Sequence, residues 1–297
     1  MDVDENNAVL DKIGNSYFIE DRLIPFIGAG FSKNAKLKNC KEYPDWKEFV
    51  DDLYGNDKKR QFQDPLLNTE YWIVRNILEP SPINWRQECR MLLGNRIDIF
   101  FKKLELKNNK VSNEHQILVD KFNTIYTSNW DDLLEKALEG CYKSDTYSVF
   151  YEYSHFHNNS MLEKKKKIIK IHGCIADSPY YDSLVATRSD YYDRMINMHP
   201  LYLKFQHAVS FHDFIFIGFS FEDPNISYLL QQLNFMKTRT LTTEMKDNHN
   251  IFLAMPSKTY DENEKSTLRS LFQKSFGIEI YFYNDLYKFF EKLERRK

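Results

Sequence analysis

The sequence predicts an α/β protein built on a parallel sheet with helices on both faces. Three observations predict it. Short, largely apolar segments recur along the chain, at Leu23 to Ile27, Asn123 to Tyr126, Ile168 to Ile171, Asp213 to Ile217, Ile251 to Met255 and Ile278 to Tyr283. Helix-like stretches such as Asp132 to Leu138 and Pro200 to Val209 separate them. Four of the apolar segments run into glycine or small polar residues. Strands without an inside-outside alternation belong to a sheet buried on both faces, which is the Rossmann-like arrangement.

The elements follow in order. A first helix is expected from about Ala8 to Arg22, where Val9, Ile13, Tyr17 and Phe18 fall near helical spacing, and it feeds directly into the strand Leu23 to Ile27. From Trp46 to about Leu118 the pattern is long, amphipathic and helical, with punctuation at Gly55, Asp64-Pro65, Glu79 to Pro82 and Gly94. This stretch reads as an inserted helical module over residues 46–118, interrupting a core made of residues 1–45 and 119–297. The remaining strands then return at regular intervals. No internal repeat is visible, and the one charge run, Lys164 to Lys167, reads as a solvated lead-in to a strand.

Bulk properties exclude several classes. A chain of 297 residues that is 42% hydrophobic and 15% aromatic, with only 9 Gly and 9 Pro, can bury a core and is neither fibrous nor disordered. The 41 Lys and Arg nearly balance the 43 Asp and Glu, so no global field draws the chain onto nucleic acid or anionic lipid, and direct nucleic-acid binding is not expected. Cys40, Cys89, Cys141 and Cys174 form no C-x-x-C pair, so no zinc ribbon or disulfide framework is written, and no metal is expected. No apolar run approaches the roughly 20 residues that cross a bilayer, and a cytoplasmic location is expected.

Four strand ends carry the chemistry. Leu23-Ile24-Pro25-Phe26-Ile27 ends in Gly28-Ala29-Gly30-Phe31-Ser32, where glycine permits a sharp turn and close approach of a pyrophosphate. Lys33 stands where a full G-x-G-x-x-G would place its third glycine, so an ordinary tight turn also fits. Ile125-Tyr126 ends in Thr127-Ser128-Asn129-Trp130-Asp131-Asp132, and ligands in open α/β sheets lie outside such carboxyl ends. Capping of the next helix by Ser128 or Asn129 fits that segment at least as well.

Ile168-Ile169-Lys170-Ile171 ends in His172-Gly173, an imidazole held rigidly at a crevice, suited to accepting a proton near neutral pH. His155 and His157 have a metal-like spacing but no further ligand cluster. Phe214-Ile215-Phe216-Ile217 ends in Gly218-Phe219-Ser220-Phe221-Glu222-Asp223-Pro224-Asn225, in which Gly218 allows close contact with a nucleotide and Ser220 and Asp223 offer hydrogen bonds to its oxygens. A plain Asp-Pro-Asn turn that starts a helix fits here too. Phe221 and Glu222 follow Ser220, so there is no G-x-S-x-G nucleophile elbow and no hydrolase triad.

In this order, the four strand ends resemble the sirtuin family, and most closely the sirtuin-like NAD-hydrolysing domains of bacterial anti-phage systems. The resemblance spans roughly Leu23 to Asn225. It implies NAD as substrate, with the pyrophosphate at Gly28, Ala29, Gly30 and Ser32, Asn129 and Asp131 beside the nicotinamide ribose, and His172 as catalytic base. Thr127, Gly218, Ser220, Asp223 and Asn225 join the residues expected to contact the dinucleotide. Deacetylating sirtuins carry a four-cysteine zinc module after the His-Gly motif, whereas Ile175 to Asp213 contains no cysteine, which counts against a protein deacylase. That segment instead holds Leu184-Val185-Ala186-Thr187-Arg188-Ser189-Asp190-Tyr191-Tyr192, similar to a linker of the defence-type domains that covers the site or contacts a partner.

The implied activity is an NAD glycohydrolase used in antiviral defence. The alternatives are a subunit that senses NAD or ADP-ribose without turnover, and a zinc-free deacylase. An unrestrained NAD hydrolase poisons its own cell, so control by assembly is expected, as a homo-oligomer or with a second protein; in related systems the partner is a HerA-like hexameric ATPase.

Overall fold

The computed structural model describes residues 2–54, 65–76, 85–177, 182–196, 199–240 and 249–294. Seven parallel strands form one sheet: β1 Leu23–Ile27, β2 Thr124–Thr127, β3 Tyr147–Phe150, β4 Lys166–Lys170, β5 Asp213–Ile217, β6 Ile251–Pro256 and β7 Ile278–Tyr283. Their order across the sheet is β3-β4-β2-β1-β5-β6-β7. The chain therefore builds one half outward from β1, then crosses back to build the other from β5. A crevice opens at such a reversal, outside the carboxyl ends of the central strands.

Both faces are buried, and side-chain alternation divides each central strand between two cores. Leu23 and Ile27 of β1, Ile215 and Ile217 of β5, and Phe252 and Ala254 of β6 pack against helices Asp2–Phe18, Asn113–Lys121, Leu133–Cys141 and Leu286–Glu294. Ile24 and Phe26, Phe214 and Phe216, and Ile251 and Leu253 pack against Pro200–Phe211, Pro224–Thr240 and Glu262–Phe276. Phe26, Phe214 and Phe216 are wholly buried. Truncating any one to alanine costs about 3 to 5 kcal/mol.

The expected strands β1, β5 and β7 occur with the expected bounds, and the others agree within two residues at each end. The edge strand β3 was not expected. Its Tyr-Ser-Val-Phe pattern alternates between half-buried and buried positions, unlike β1 and β5, which are buried at every position. The first helix begins earlier than expected, at Asp2, and ends at Phe18. Within the long helical stretch, the described residues form helices Trp46–Tyr54, Pro65–Asn76 and Trp85–Lys102, which share a core of Phe49, Val50, Leu53, Ile73, Leu93 and Ile97. Gly94 does not punctuate it, because it lies within the unbroken helix Trp85–Lys102. The breaks expected at Gly55, Asp64 and Glu79 to Pro82 lie outside the described residues.

The lysine run is not simply solvated. Lys166 is 5% exposed, its Nζ donates to the Asp120 and Phe122 carbonyls at 2.8 and 3.2 Å, and it lies over the Tyr142 ring. Among the described residues, no helix is long and apolar enough to cross a membrane.

Candidate active site

The carboxyl ends of β1, β2, β4 and β5 meet at a cavity of about 630 Å³. Ala29, Gly30, Asn129, Asp131, His172, Gly218, Ser220 and Asp223 all line it. Gly28, Ser32, Thr127 and Asn225 are not among its lining residues, and each does structural work behind it.

The glycines lock two loops together. A Cβ on Gly28 would lie 2.5 Å from the Gly218 carbonyl oxygen, and one on Gly30 would lie 2.9 Å from the same atom. Gly218 has φ +65°, and a Cβ there would sit 2.1 Å from the Phe31 nitrogen. The Gly30 amide donates to the Gly218 carbonyl at 2.8 Å, and the Phe31 amide to Gly28 at 3.0 Å. Two amides of the turn are therefore committed to the fold. The loop after β5 turns again at Phe221, whose φ of +60° is unusual for a residue with a side chain. Packing of its ring against Phe216, Phe219, Phe272 and Phe276 holds it there.

Asn129 is buried where β2 passes β1. Its amide nitrogen donates to the Gly28 carbonyl at 3.1 Å and to Ser32 Oγ at 3.0 Å, and its backbone N–H donates to Thr127 Oγ1 at 2.9 Å. A carbonyl only accepts, so the side-chain nitrogen must face Gly28 and the oxygen is the remaining atom. That oxygen, Oδ1, is buried and has no hydrogen-bond partner. Native structures leave few buried polar atoms without a partner, and each calls for an explanation. Thr127 Oγ1 donates to the Ile27 carbonyl at 2.8 Å, tying the two strand ends.

Asp131 accepts from Ser32 Oγ at 2.8 Å and from the Leu133 amide at 3.1 Å, so both carboxylate oxygens are engaged. It thus steadies the first residue of the helix Leu133–Cys141, whose N-cap is Asp132 and not Ser128 or Asn129. Burial pushes its carboxyl above the usual range, and the charge of Lys170 opposes this.

Lys170 lies behind this loop, 1% exposed. Its Nζ donates to the carbonyls of Trp130 and Asp131 and pairs with Glu135 Oε1 at 2.6 Å. Burial alone would lower the Lys170 pKa, but Glu135, Cys174 and Asp131 together raise it. Sequence reading missed this ion pair. A lysine inside an otherwise apolar strand was the available signal.

His172 is 5% exposed, and burial, with the charge of Arg194, lowers its pKa to about 3. Its Nε2 lies 3.2 Å from Asp223 Oδ2, and its ring meets Tyr191 edge-on at 5.1 Å. Asp223 Oδ1 accepts from the amides of Asn225 and Ile226 at 3.0 and 3.1 Å, which makes it the cap of helix Pro224–Thr240. Burial pushes its carboxyl up to about 7. Asn225 donates to the Tyr191 carbonyl at 3.1 Å, and its own carbonyl accepts from Tyr202 at 2.6 Å. Ser220 is exposed on the cavity wall.

The segment after His172 returns over it. Val185 N–H donates to the His172 carbonyl at 3.0 Å, and Gly173, with φ +87°, leaves no room for a Cβ against Ser183. Arg194 and Arg90 donate to the Ser183 and Leu184 carbonyls, each at 2.7 Å, and Arg90 pairs with Asp190. The stretch that resembles a linker is thus a strap tied to the helix Trp85–Lys102. Trp46 and Trp130, with ring centroids 4.5 Å apart, form an aromatic wall of the cavity. Among the described residues, no three His, Cys, Asp or Glu side chains are grouped as metal ligands.

Comparison with known proteins bears on this site. The sequence pattern of the family described as "SIR2-like domain" matches residues 123–281. The chain is 28% identical over 237 residues to "NAD(+) hydrolase ThsA" of Cytobacillus dafuensis, covering 78% of this chain and 41% of that protein. It is 25% identical over 197 residues to the protein of the same name from Acinetobacter baumannii (strain 532279), covering 61% and 38%. With "Defense-associated sirtuin 2" of Bacillus subtilis it shares 24% identity over 213 residues, covering 70% and 19%. The matched region is about two-fifths or less of the length of these relatives. With half of its length matched and the loops of four parallel strands gathered at one cavity, the chain belongs to the SIR2-like domain family.

Proposed function

We propose that this chain hydrolyses NAD at the bond between nicotinamide and ribose, releasing nicotinamide and ADP-ribose, and serves as an NAD-depleting effector of anti-phage defence. The observation that carries this reading is one cavity lined both by Asn129, whose buried amide oxygen has no hydrogen-bond partner, and by His172, an imidazole that burial keeps neutral. Asn129 Oδ1 needs a donor, and a ribose hydroxyl supplies one. The names of the relatives, NAD(+) hydrolases and a defence-associated sirtuin, support the same substrate and role.

The chemistry follows from the groups present. The C1′–N bond breaks with its electron pair leaving on nicotinamide, which neutralises the pyridinium and leaves positive charge on the ribose. Water adds to that carbon and its proton is taken up by His172, a neutral base over the whole physiological range. The Asn129 oxygen dipole stabilises the positive sugar. Asp131 holds Ser32 and the helix start, and so fixes Asn129 through Ser32. Ala29, Gly30, Gly218 and Ser220 form the wall along which the dinucleotide lies, and Gly28 sets the turn behind it.

We further assign residues 46–118 to a helical module, place the protein in the cytoplasm, and hold that its activity is restrained by assembly. The assembly is a homo-oligomer or a complex with a second protein, of which a HerA-like hexameric ATPase is one kind. Native mass measurement beside an NAD assay tests the assembly. For the reaction, purified protein is expected to release nicotinamide from NAD, and His172→Ala or Asn129→Ala to stop it. Undiminished release in both variants would overturn the assignment, and tight ADP-ribose binding without release in any assembly would favour a sensing role.

A further inference from the structure

Asp223 lines the cavity and also touches the candidate base. Three donors reach its carboxyl group, the amides of Asn225 and Ile226 and the Tyr191 hydroxyl, and His172 Nε2 lies 3.2 Å from its Oδ2. While this carboxyl group is ionised it can only accept, so its fourth neighbour presents a hydrogen to it. The side chain is 7% exposed, so most of its surroundings are these partners. Tyr191 comes from helix Arg188–Ile196, which follows the strap, so Asp223 is gripped from the strap side as well as by its own helix.

We propose that Asp223, completed by the Tyr191 hydroxyl, is the positioning partner of His172: it accepts the Nε2 proton and holds the imidazole in the tautomer whose Nδ1 lone pair receives the proton of the attacking water. The inference rests on the NAD-hydrolase reading of the cavity and replaces a direct cofactor-binding role for Asp223. In the reaction, the water oxygen forms its bond to the ribose carbon as its proton passes to Nδ1. The imidazolium formed is stabilised by the Asp223 carboxylate, and the proton then leaves to solvent. A neutral imidazole whose proton is fixed on one nitrogen is a poised base; with the proton on the other nitrogen it is blocked.

The charged and titratable groups facing the pair are Tyr191 and Arg194 from helix Arg188–Ile196 and Tyr202 from helix Pro200–Phe211. Arg194 disfavours the imidazolium, and the Tyr191 hydrogen bond favours the Asp223 carboxylate. With Asp223 up at about 7, its protonated form donates to Nε2 below neutrality and drives the histidine proton onto Nδ1. Turnover therefore falls as pH drops through about 7.

The test uses the full chain, with three readouts: NAD turnover, ADP-ribose affinity, and the nitrogen chemical shifts of the His172 ring, assigned by their absence in His172→Ala. Asp223→Asn offers an amide that donates to Nε2. It is expected to lower kcat about a hundredfold or more, as loss of base catalysis does, and to move the ring proton to Nδ1 while ADP-ribose affinity stays within about twofold. Tyr191→Phe keeps the fold, lowers kcat less, and moves the acid limb of the pH profile to higher pH. An Asp223→Asn variant with unchanged kcat and ring shifts, or one that binds ADP-ribose about tenfold more weakly with kcat intact, would overturn the proposal. So would a Tyr191→Phe profile identical to that of the parent. A parent protein that neither binds ADP-ribose nor releases nicotinamide would instead overturn the reading of the cavity itself.

Discussion

The Asn129 side-chain nitrogen donates to the Gly28 carbonyl oxygen at 3.1 Å, joining strand ends 101 residues apart in the chain. The bond orients the amide, and it makes the identity of residue 129 stringent. Asn129→Asp cannot donate to that carbonyl and sets a second carboxylate beside Asp131, whose own carboxyl already resists ionisation. It is expected to lose about a hundredfold or more in kcat. It should also melt earlier than Asn129→Ala, as followed by nicotinamide release and thermal unfolding.

Gly218→Ala tests the interlocked loops. The new methyl would meet the Phe31 nitrogen at 2.1 Å, in a backbone conformation that alanine disfavours. A cost of about 2 to 4 kcal/mol is expected, read as a lower urea midpoint with an unchanged slope. Gly140→Ala, in a helix at a glycine with no atom within 4 Å of an added Cβ, is the control that should not lower the midpoint.

Lys170→Met leaves Glu135 buried without its cation. Breaking a buried pair from one side costs about 3 to 5 kcal/mol, whereas replacing both partners by apolar groups is often near neutral. The double variant Lys170→Met with Glu135→Leu is therefore expected to regain most of the loss in equilibrium unfolding. Recovery of stability without recovery of kcat would separate the core role of Lys170 from its grip on the Trp130 and Asp131 carbonyls.

Acid sensitivity is expected from His115. Burial holds its pKa down at about 3, and its ring packs against Phe31 with Nδ1 2.8 Å from Ser112 Oγ. The unfolded chain binds a proton near pH 6.5 that the native state refuses, so stability is full above about 6.5 and is lost as pH falls from there towards about 3. The slope is about 1.4 kcal/mol per pH unit. His199, held down at about 4, adds a similar contribution over a narrower range. His172 adds little: near pH 5 the unfolded chain carries its proton on the histidine and the native pair carries one on Asp223, so the counts agree. His115→Leu should flatten the pH dependence of the unfolding free energy by about one proton.

Much of this fold was legible because the interior strands announce themselves. Leu23–Ile27 and Asp213–Ile217 are buried at every position and apolar at all but Asp213, since both faces of the sheet are covered. Tyr147–Phe150, at the edge, buries only alternate residues, and four residues are too few to carry a period. The meeting of Gly30, Asn129, His172 and Gly218 was readable because strand ends in a parallel sheet face one way. What those residues do for each other was not. The glycines read as room for a ligand, yet the space at Gly28 and Gly30 is filled by the Gly218 backbone. Asp223 read as a ligand contact, and its neighbour proved to be His172, 51 positions away across an intervening strap. Such pairings depend on tertiary approach, which local pattern does not encode.

The backbone-to-backbone contact of Gly28 and Gly30 with Gly218 has a consequence for anyone wishing to recombine these domains. The first and fifth strand loops are one part made in two pieces. A chimera that takes one loop from a distant cousin and keeps its mate from the parent inherits mismatched surfaces wherever the donor carries a side chain. Loops moved as a couple should graft; loops moved singly should not.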